Sequence, residues 1–189
     1  MTTTEAFRLG GRLSLDLTWT LRYRRVAPTE LLVRPADLRR WVTTAVAPTH
    51  EPVDPELLAA AIDLREAVFR AAGATIDGSP VRRADRTLIN AWAERPAPYR
   101  RLHASGRPEV HLRPGAEVAS ALAAVAIDAV DLLAADDGRL RRCEGPGCAL
   151  LFHDASRPGR RRWCSAARCG NRVNTRAYRR RHTTVPTEE

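Results

Sequence analysis

The sequence of 189 residues contains no Lys and no Gln, a single Met, and only 5% aromatic residues. It also lacks a long uninterrupted apolar run, because residues 116–135, the most apolar stretch, include Glu117, Asp128 and Asp131. A helix that spans a membrane needs about 20 consecutive apolar residues, so we expect no transmembrane segment. The first residues also lack the charged and apolar regions of a signal peptide. We therefore expect a cytoplasmic protein without a membrane partner.

Because Lys is missing, all 31 residues in the Lys+Arg count are Arg, which is typical of a GC-rich genome. Their distribution along the chain is uneven. Residues 1–138 hold 18 Arg and 18 acidic residues, so their net charge is zero. Residues 139–189 hold 13 Arg and 4 acidic residues and therefore carry the whole net charge of +9. Charge concentrated in this way favours an anionic partner, most often nucleic acid.

The neutral segment, residues 1–138, is predicted to form an α+β domain that is mainly helical with a small antiparallel sheet. Apolar residues recur at helical spacing in residues 35–46, 54–72, 79–95 and 115–135. Alternation of apolar and polar residues over 13–23 favours a strand, with a helix beginning near Leu15 as the alternative. Residues 98–103 and 108–113 flank a Ser-Gly pair, which predicts a β-hairpin. We expect this domain to sense a small-molecule effector or to form a homodimer.

The same segment lacks the motifs of common catalytic sites. It has no Gly-rich phosphate loop, no G-x-S-x-G elbow and no H-E-x-x-H sequence. His103 and His111 could meet across the predicted hairpin as metal ligands or acid–base groups, but exposed polar residues on strands explain them more simply. Asp16, Asp128 and Asp131 lie in apolar sequence, where ion pairs or surface placement explain them better than proton transfer. We therefore expect the protein not to be an enzyme.

The basic segment, residues 139–189, contains all four cysteines, which are Cys143, Cys148, Cys164 and Cys169. Two C-x4-C pairs with 15 residues between them are typical of four thiolates around one tetrahedral Zn²⁺. Gly145 and Gly147 allow the positive φ and the close backbone approach that such a turn needs. Disulfides are disfavoured in a cytoplasmic protein, and His153 or His182 as a substitute ligand is the less favoured alternative. We predict one structural zinc ion, since four thiolates leave no open position for water.

Between the two cysteine pairs, the sequence predicts a small hairpin. Residues 149–153 have the composition of a short strand, 154–159 that of a turn, and 160–163 return toward the metal. Phe152 and Trp163 are then expected to pack beside the zinc, with base stacking by Trp163 as the less favoured alternative. The C-terminal segment is thus predicted to be a zinc-bound module of a hairpin and a helix.

An Arg-rich helix is predicted after the second cysteine pair. Ser165 can cap its start, the run from Asn171 to Arg181 contains no Gly or Pro, and Pro186 marks its end. Such a helix suits a nucleic-acid groove, because Arg binds phosphates or guanine and Asn binds adenine. We predict contacts to double-stranded DNA from Arg160, Arg161, Arg162, Asn171, Arg172, Asn174, Arg176, Arg179 and Arg180. The alternatives are a solvated basic helix, an RNA-binding module and a protein-interaction module, each with a purely structural zinc site.

These motifs resemble those of the CGNR zinc-finger family. The matching residues are Cys143-x4-Cys148, Leu151-Phe152, Asp154-x-Ser156-Arg157, Arg161-Arg162-Trp163-Cys164-Ser165, Cys169-Gly170-Asn171-Arg172 and Tyr178-Arg179-Arg180-Arg181. The preceding region resembles the ABATE domain that accompanies this finger, through Gly10-Gly11, Leu15-Asp16-Leu17, Leu38-Arg-Arg-Trp41, Leu64-Arg65-Glu66-Ala67-Val68, Asp128-Ala-Val-Asp-Leu132 and Arg139-Leu140-Arg141.

The family is described as stress-induced transcription regulators. The resemblance therefore implies that the finger binds DNA and that the four cysteines are the zinc ligands. Members often carry Asn-Thr soon after the Leu-Asp motif, whereas Trp19 replaces that Asn here. If that Asn has a role in other members of the family, the resemblance does not extend this role to the present chain.

Overall fold

Helices form most of the N-terminal domain. The computed structural model describes residues 7, 10–135, 137–171, 173–175 and 178. Within them the helices of this domain are α1 (Leu13–Thr18), α2 (Pro35–Ala45), α3 (Pro55–Ile76), α4 (Arg83–Ala93) and α5 (Glu117–Ala134). Pro starts α2 and α3, where its fixed φ suits the first turn. The Asp54 carboxylate caps α3 by accepting a hydrogen bond from the N–H of Leu57 at 2.6 Å. The helices predicted in residues 35–46, 54–72 and 115–135 are confirmed.

The core of this domain lies between α2, α3, α4 and α5. Its fully buried side chains include Leu17, Leu38, Trp41, Leu64, Val68, Leu122 and Val125. Along α3 and α5 they recur every three or four residues, so each helix turns an apolar stripe inward. The central helix α5 contacts α1, α3 and α4. None of the described helices is both long and apolar enough to cross a membrane.

Short antiparallel pairs of strands accompany the helices. They are β1 (Leu21–Arg22) with β2 (Thr29–Glu30), β3 (Tyr99–Leu102) with β4 (Pro108–His111), and β5 (Leu140–Arg142) with β6 (Leu151–His153). The β3–β4 pair is the predicted hairpin. The protein is therefore α+β and mainly helical, as its sequence predicts.

The predicted strand over residues 13–23 is wrong for its first half, because residues 13–18 form α1. Alternation of apolar and polar residues indicates a strand only when the polar side faces solvent. Here the polar side of α1 is buried as well as the apolar side. Ser14 and Thr18 are as buried as the leucines between them. Their hydroxyls are satisfied inside the protein: Ser14 Oγ donates to Asp128 at 2.5 Å and Thr18 Oγ1 donates to the Leu15 carbonyl at 2.7 Å.

Helix α4 begins at Arg83, later than the predicted start at residue 79, and its inward face includes a charged residue. Asp85 is buried at an inward position, whereas Ala84 and Ala91 are exposed. The burial of Asp85 is compensated by Arg70 of α3, whose Nη2 donates to Asp85 Oδ1 at 2.6 Å. A pattern of apolar residues alone cannot show a buried ion pair of this kind.

We call the segment 139–189 the zinc module. The hairpin predicted between residues 149–153 and 160–163 is wrong, because strand β6 pairs with β5. Leu140 lies opposite His153, and Arg142 lies opposite Leu151. This pairing turns Leu140 and Leu151 toward the N-terminal domain, where both are buried, whereas residues 160–162 are Arg and stay exposed. Residues 160–163 are attached by isolated hydrogen bonds, such as Glu144 N–H to the Arg162 carbonyl at 3.0 Å.

The zinc module packs directly on the N-terminal domain. A shared apolar cluster joins α1, α3 and α5 to β5 and β6, and consists of Leu15, Ala72, Leu132, Leu140 and Leu151. Trp19, just after α1, adds a hydrogen bond: its Nε1–H donates to the Leu151 carbonyl at 2.6 Å. At the edge of this contact Arg142 pairs with Asp77 at 3.2 Å. The position of the module is therefore set by the surface of the helical domain.

Candidate metal centre and nucleic-acid interface

The four cysteines of the sequence converge on one point. The Sγ atoms of Cys143, Cys148, Cys164 and Cys169 all lie within 4.8 Å of one another, and all four residues are buried. Two of these separations are 3.7 Å, between Cys148 and Cys164, and 3.8 Å, between Cys164 and Cys169. Sulfur atoms about 2.3 Å from a tetrahedral zinc ion are about 3.8 Å apart. The cluster thus has the dimensions of a closed site for one structural Zn²⁺, as predicted.

Two glycines shape the first C-x4-C turn in different ways. A Cβ atom at Gly145 would lie 2.8 Å from the Cβ and 2.9 Å from the Sγ of Cys169. Glycine at this position is therefore what allows the first turn to approach the second cysteine pair. Gly147 has a φ of +72°, a conformation that L-residues rarely adopt. Both features expected of this turn are therefore present: the close backbone approach at Gly145 and the positive φ at Gly147.

Hydrogen bonds to sulfur prepare the site for a cation. The N–H groups of Gly145 and Cys164 point at the Cys143 sulfur, at 3.4 and 3.3 Å. Hydrogen bonds with Cys148 and Cys164 lower the pKa of Cys143 to about 2, whereas the contact with Cys143 raises the pKa of Cys148 to about 12. These contacts therefore favour the thiolate form of Cys143. A divalent ion is needed before all four sulfurs can lose their protons, because neighbouring thiolates repel one another.

The second cysteine pair is joined by a π-helical turn, Ala166–Gly170. Ser165 caps this turn as predicted, since its Oγ accepts the N–H of Arg168 at 3.3 Å. The turn buries Cys169 in the cluster and leaves Arg168 exposed. π-Helical turns are rare in proteins and are frequently found at functional sites. Asn171 and residues 173–175 and 178 continue the turn as helix.

Aromatic residues from both parts of the chain enclose the cysteine cluster. Phe152 is buried against it and Trp163 is half-buried at its edge, so the predicted packing of these two rings beside the metal is confirmed. Trp19 also belongs to this cluster and was not among the predicted site residues. The signal that could have found it is its place in the sequence, where a large aromatic residue replaces the Asn common in the family.

Asp154 holds the loop that carries the basic side chains. Its carboxylate is fully buried and accepts hydrogen bonds from the N–H groups of Ser156 at 3.0 Å and Arg161 at 2.8 Å. Burial raises the pKa of Asp154, but hydrogen bonds from Ser156 and Arg161 outweigh it and bring the pKa to about 2. The carboxylate therefore stays charged and keeps residues 154–161 in one conformation.

The predicted DNA-contact residues Arg160, Arg161 and Arg162 are exposed on the zinc module. Arg161 is partly committed to the fold, since its Nη2 donates to the Cys164 carbonyl at 3.0 Å. Arg162 pairs with Glu144 at 2.6 Å, and both side chains remain more than half exposed. Arg168, which is not among the predicted DNA contacts, is also exposed on this module. Its position in the sequence, between the last two cysteines, is the signal that could have suggested it.

The remaining predicted DNA contacts are placed only in part. Asn171 and Asn174 are exposed on the helical segment that follows the π-turn. The other four lie outside the described residues; they are Arg172, Arg176, Arg179 and Arg180. The structure thus brings together all four predicted zinc ligands and exposes five of the nine predicted DNA-contact residues around them.

The two histidines of the β3–β4 hairpin lie on either side of Glu109. Their Nε2 atoms are 3.9 Å (His103) and 3.4 Å (His111) from its carboxylate, and both rings are partly exposed. Among the described residues, the cysteines form the one group with ligand atoms close enough to hold a metal ion. The simpler interpretation of both histidines, as polar residues on exposed strands, therefore fits the structure.

Comparison with known families divides the chain into two matched regions. The boundary between them coincides with the change from the neutral to the basic segment near residue 138. A family model named ABATE, with the description "Putative stress-induced transcription regulator", matches residues 11–136, and the model of the CGNR zinc finger matches residues 139–182. No curated protein matches the chain. The first match covers more than half of the 189 residues, and the second contains all four metal-binding cysteines. The chain therefore belongs to the ABATE family and carries a CGNR zinc finger at its C-terminal end.

Proposed function

We propose that the protein is a transcription regulator that binds double-stranded DNA through the exposed Arg surface of its zinc module. The supporting observation is that the apolar and the basic residues of the module lie in different surroundings. Its apolar residues Leu140 and Leu151 are buried against the N-terminal domain, whereas the arginines of its loop and π-turn are exposed and carry excess positive charge. The N-terminal domain then senses a small molecule or forms a homodimer, and the protein acts in the cytoplasm.

The proposed role is binding without catalysis. A zinc ion held by four thiolates has no open position at which water or a substrate can be activated. The ion instead fixes the geometry of residues 143–169, so that the arginines between the cysteines are presented in one arrangement. Guanidinium groups suit this task, because they stay charged at all relevant pH values and bind phosphate with two N–H groups at once.

The proposal is tested by selecting bound sequences from a random duplex DNA pool with the full-length, zinc-loaded protein. The affinity for the selected duplex is then measured by fluorescence anisotropy at several salt concentrations. If four or five phosphates are contacted, the slope of log K against log salt is expected to be roughly −4 to −5. An RNA of the same sequence serves as the competitor. Equal or tighter binding of RNA would favour the RNA-binding alternative.

A matched pair of variants locates the surface. Arg160→Ala removes an exposed guanidinium of the zinc module, and Arg86→Ala removes an exposed guanidinium of α4. We expect the first to weaken DNA binding several-fold and to reduce the salt slope by about one unit, and the second to change neither. Zinc content is expected to be unchanged in both. Equal effects of the two variants, or no binding of any nucleic acid at low salt, would contradict the proposal.

A further inference from the structure

A cleft of about 550 Å³ lies where the N-terminal domain meets the zinc module. Gly10 and Trp19 line it from the N-terminal domain, and Phe152, His153, Arg161 and Arg168 line it from the module. Its volume falls in the range of small-molecule sites, about 300–1,000 Å³, and such sites often lie between domains. Cys164, one of the four predicted zinc ligands, lines it as well.

Two guanidinium groups, those of Arg161 and Arg168, give this cleft a cationic side. Arg168 is exposed and forms no ion pair with the rest of the described chain. Arg161 gives one N–H to the Cys164 carbonyl, which leaves other N–H groups of its five for a ligand. The described lining residues include no Asp or Glu. The nearby Asp154 carboxylate already accepts hydrogen bonds from Ser156 and Arg161, and Asp137 is 2.9 Å from the Nε2 of His153. An anionic ligand therefore meets two guanidinium groups without a competing carboxylate in the lining.

The aromatic lining of the cleft is rigid. Trp19 is 8% and Phe152 3% exposed, and both line the cleft, so part of their remaining surface faces it. The Trp19 ring is held by its hydrogen bond to the Leu151 carbonyl. It is also confined by Gly10, since a Cβ there would lie 2.7 Å from the ring. The guanidinium of Arg161 lies over the Phe152 ring, 5.2 Å from its centre, so the cation and the edge of the aromatic ring form one surface. A preformed pair of this kind suits a flat ligand with an acidic group.

We propose that this cleft binds a small organic acid that combines a planar apolar ring with a carboxylate. The proposal deepens the proposed sensing role, because such a ligand contacts Trp19 of one domain and Arg168 of the other. The phosphate backbone of DNA fits these observations less well, since it offers no apolar surface to Trp19 and Phe152. Bound acid is expected to hold the two parts of the protein together and to occupy Arg161, one of the predicted DNA contacts.

The test measures ligand binding in the absence of DNA, so that its failure is distinct from a failure of the DNA-binding proposal. The zinc-loaded full-length protein is titrated by calorimetry with 2-naphthoate, with its neutral analogue 2-naphthamide, and with inorganic phosphate. We expect 2-naphthoate to bind at one site per chain and to raise the melting temperature. The amide and phosphate are expected to bind at least about tenfold more weakly, since each lacks one of the two recognised features.

Three Arg variants and one Gly variant assign the site. Arg168→Ala is expected to weaken 2-naphthoate binding about tenfold through the loss of a charge-assisted hydrogen bond, and Arg168→Lys less. Arg157→Ala, which removes an exposed guanidinium of the same module outside the cleft, is expected to leave binding unchanged. Gly10→Ala, which has to displace Trp19, is expected to abolish 2-naphthoate binding, and it is compared with the wild type at full zinc loading. Equal losses in Arg168→Ala and Arg157→Ala, or no binding of 2-naphthoate, would overturn the proposal. A preference for phosphate would also overturn it and would assign the cleft to nucleic acid.

Discussion

The N-terminal domain and the zinc module are stabilised in different ways. The domain buries leucines, valines and tryptophans from several long helices, so its core is built from its own side chains. The apolar core of the module is much smaller and consists mainly of the four cysteines with Leu150 and Phe152. A segment of 51 residues rarely folds on so small a core without a metal or another surface. The module has both, because zinc fixes its centre and Trp19 with its neighbours covers one side.

Loss of zinc is the largest perturbation that this comparison predicts. Cys164→Ser removes one of the four ligands, and in finger peptides the zinc contributes on the order of 10–16 kcal/mol to folding. We expect the module to lose its amide protection while α2, α3, α4 and α5 stay protected. Hydrogen exchange followed by mass spectrometry, together with elemental analysis for zinc, measures both effects. Ser165→Ala, which removes only the cap beside this ligand, is the control and is expected to keep its zinc. Continued protection of the module without zinc would show that packing on the helical domain suffices.

Gly145→Ala tests the same centre without removing a ligand. The new Cβ would lie 2.9 Å from the Cys169 sulfur, so the first turn has to withdraw and the tetrahedron distorts. We expect zinc affinity, measured by competition with a chelator, to fall by about 10- to 100-fold, as for changes next to metal ligands in general. Gly73→Ala in α3 is the matched control, because its Cβ would meet only Arg142 Nη2, at 3.6 Å. Unchanged affinity in Gly145→Ala would mean that the turn tolerates the methyl group by moving.

Trp19 tests whether the helical domain supports the zinc module. Trp19→Phe removes the hydrogen bond to the Leu151 carbonyl and leaves that carbonyl unsatisfied, at a cost of about 1–3 kcal/mol. Trp41→Phe removes an indole N–H that has no hydrogen-bond partner in the described part of the chain, deep in the helical core. We expect both variants to lower the free energy of unfolding, and Trp19→Phe alone to weaken zinc binding. Equal zinc affinity in the two variants would mean that the module is energetically independent of the domain.

The accuracy of the sequence-based predictions differed between the two regions for physical reasons. Cysteine spacing predicts the metal site well, because two C-x4-C pairs within a short segment are typical of four ligands around one ion. Helical periodicity is also reliable for α3 and α5, where one stripe is buried. The alternation over residues 13–23 is misleading for α1, since contact with α3, α5 and the module buries polar and apolar residues alike. The predicted partner of β6 is also wrong, because the choice of β5 depends on where Leu140 and Leu151 find an apolar surface.

The smallest expected effect concerns Asp16, which belongs to α1 and so lies between the two regions. Burial raises its pKa from 3.8 to about 6, against the opposing hydrogen bond from the N–H of Gly10. Above pH 6 the charged Asp16 carboxylate destabilises the folded state. As the pH falls below 6, Asp16 is protonated in the folded protein and this destabilisation is lost. Near pH 3.8 the carboxyl of the unfolded chain is protonated as well, so stability gains no more from this group. Between pH 7.5 and 5.5 the wild type should therefore gain about 1 kcal/mol of stability relative to Asp16→Asn.

Urea unfolding of both proteins at the two pH values measures this difference, and the exposed Asp131 supplies the control variant Asp131→Asn. Protonation of the zinc-binding thiolates affects wild type and variants equally, so it cancels in the comparison. Asn at position 16 keeps an oxygen that can accept the Gly10 N–H, so the variant removes the charge while preserving that contact. Parallel pH profiles of wild type and Asp16→Asn would show that water reaches Asp16. The contact between α1 and the module would then be looser than the hydrogen bond of Trp19 implies.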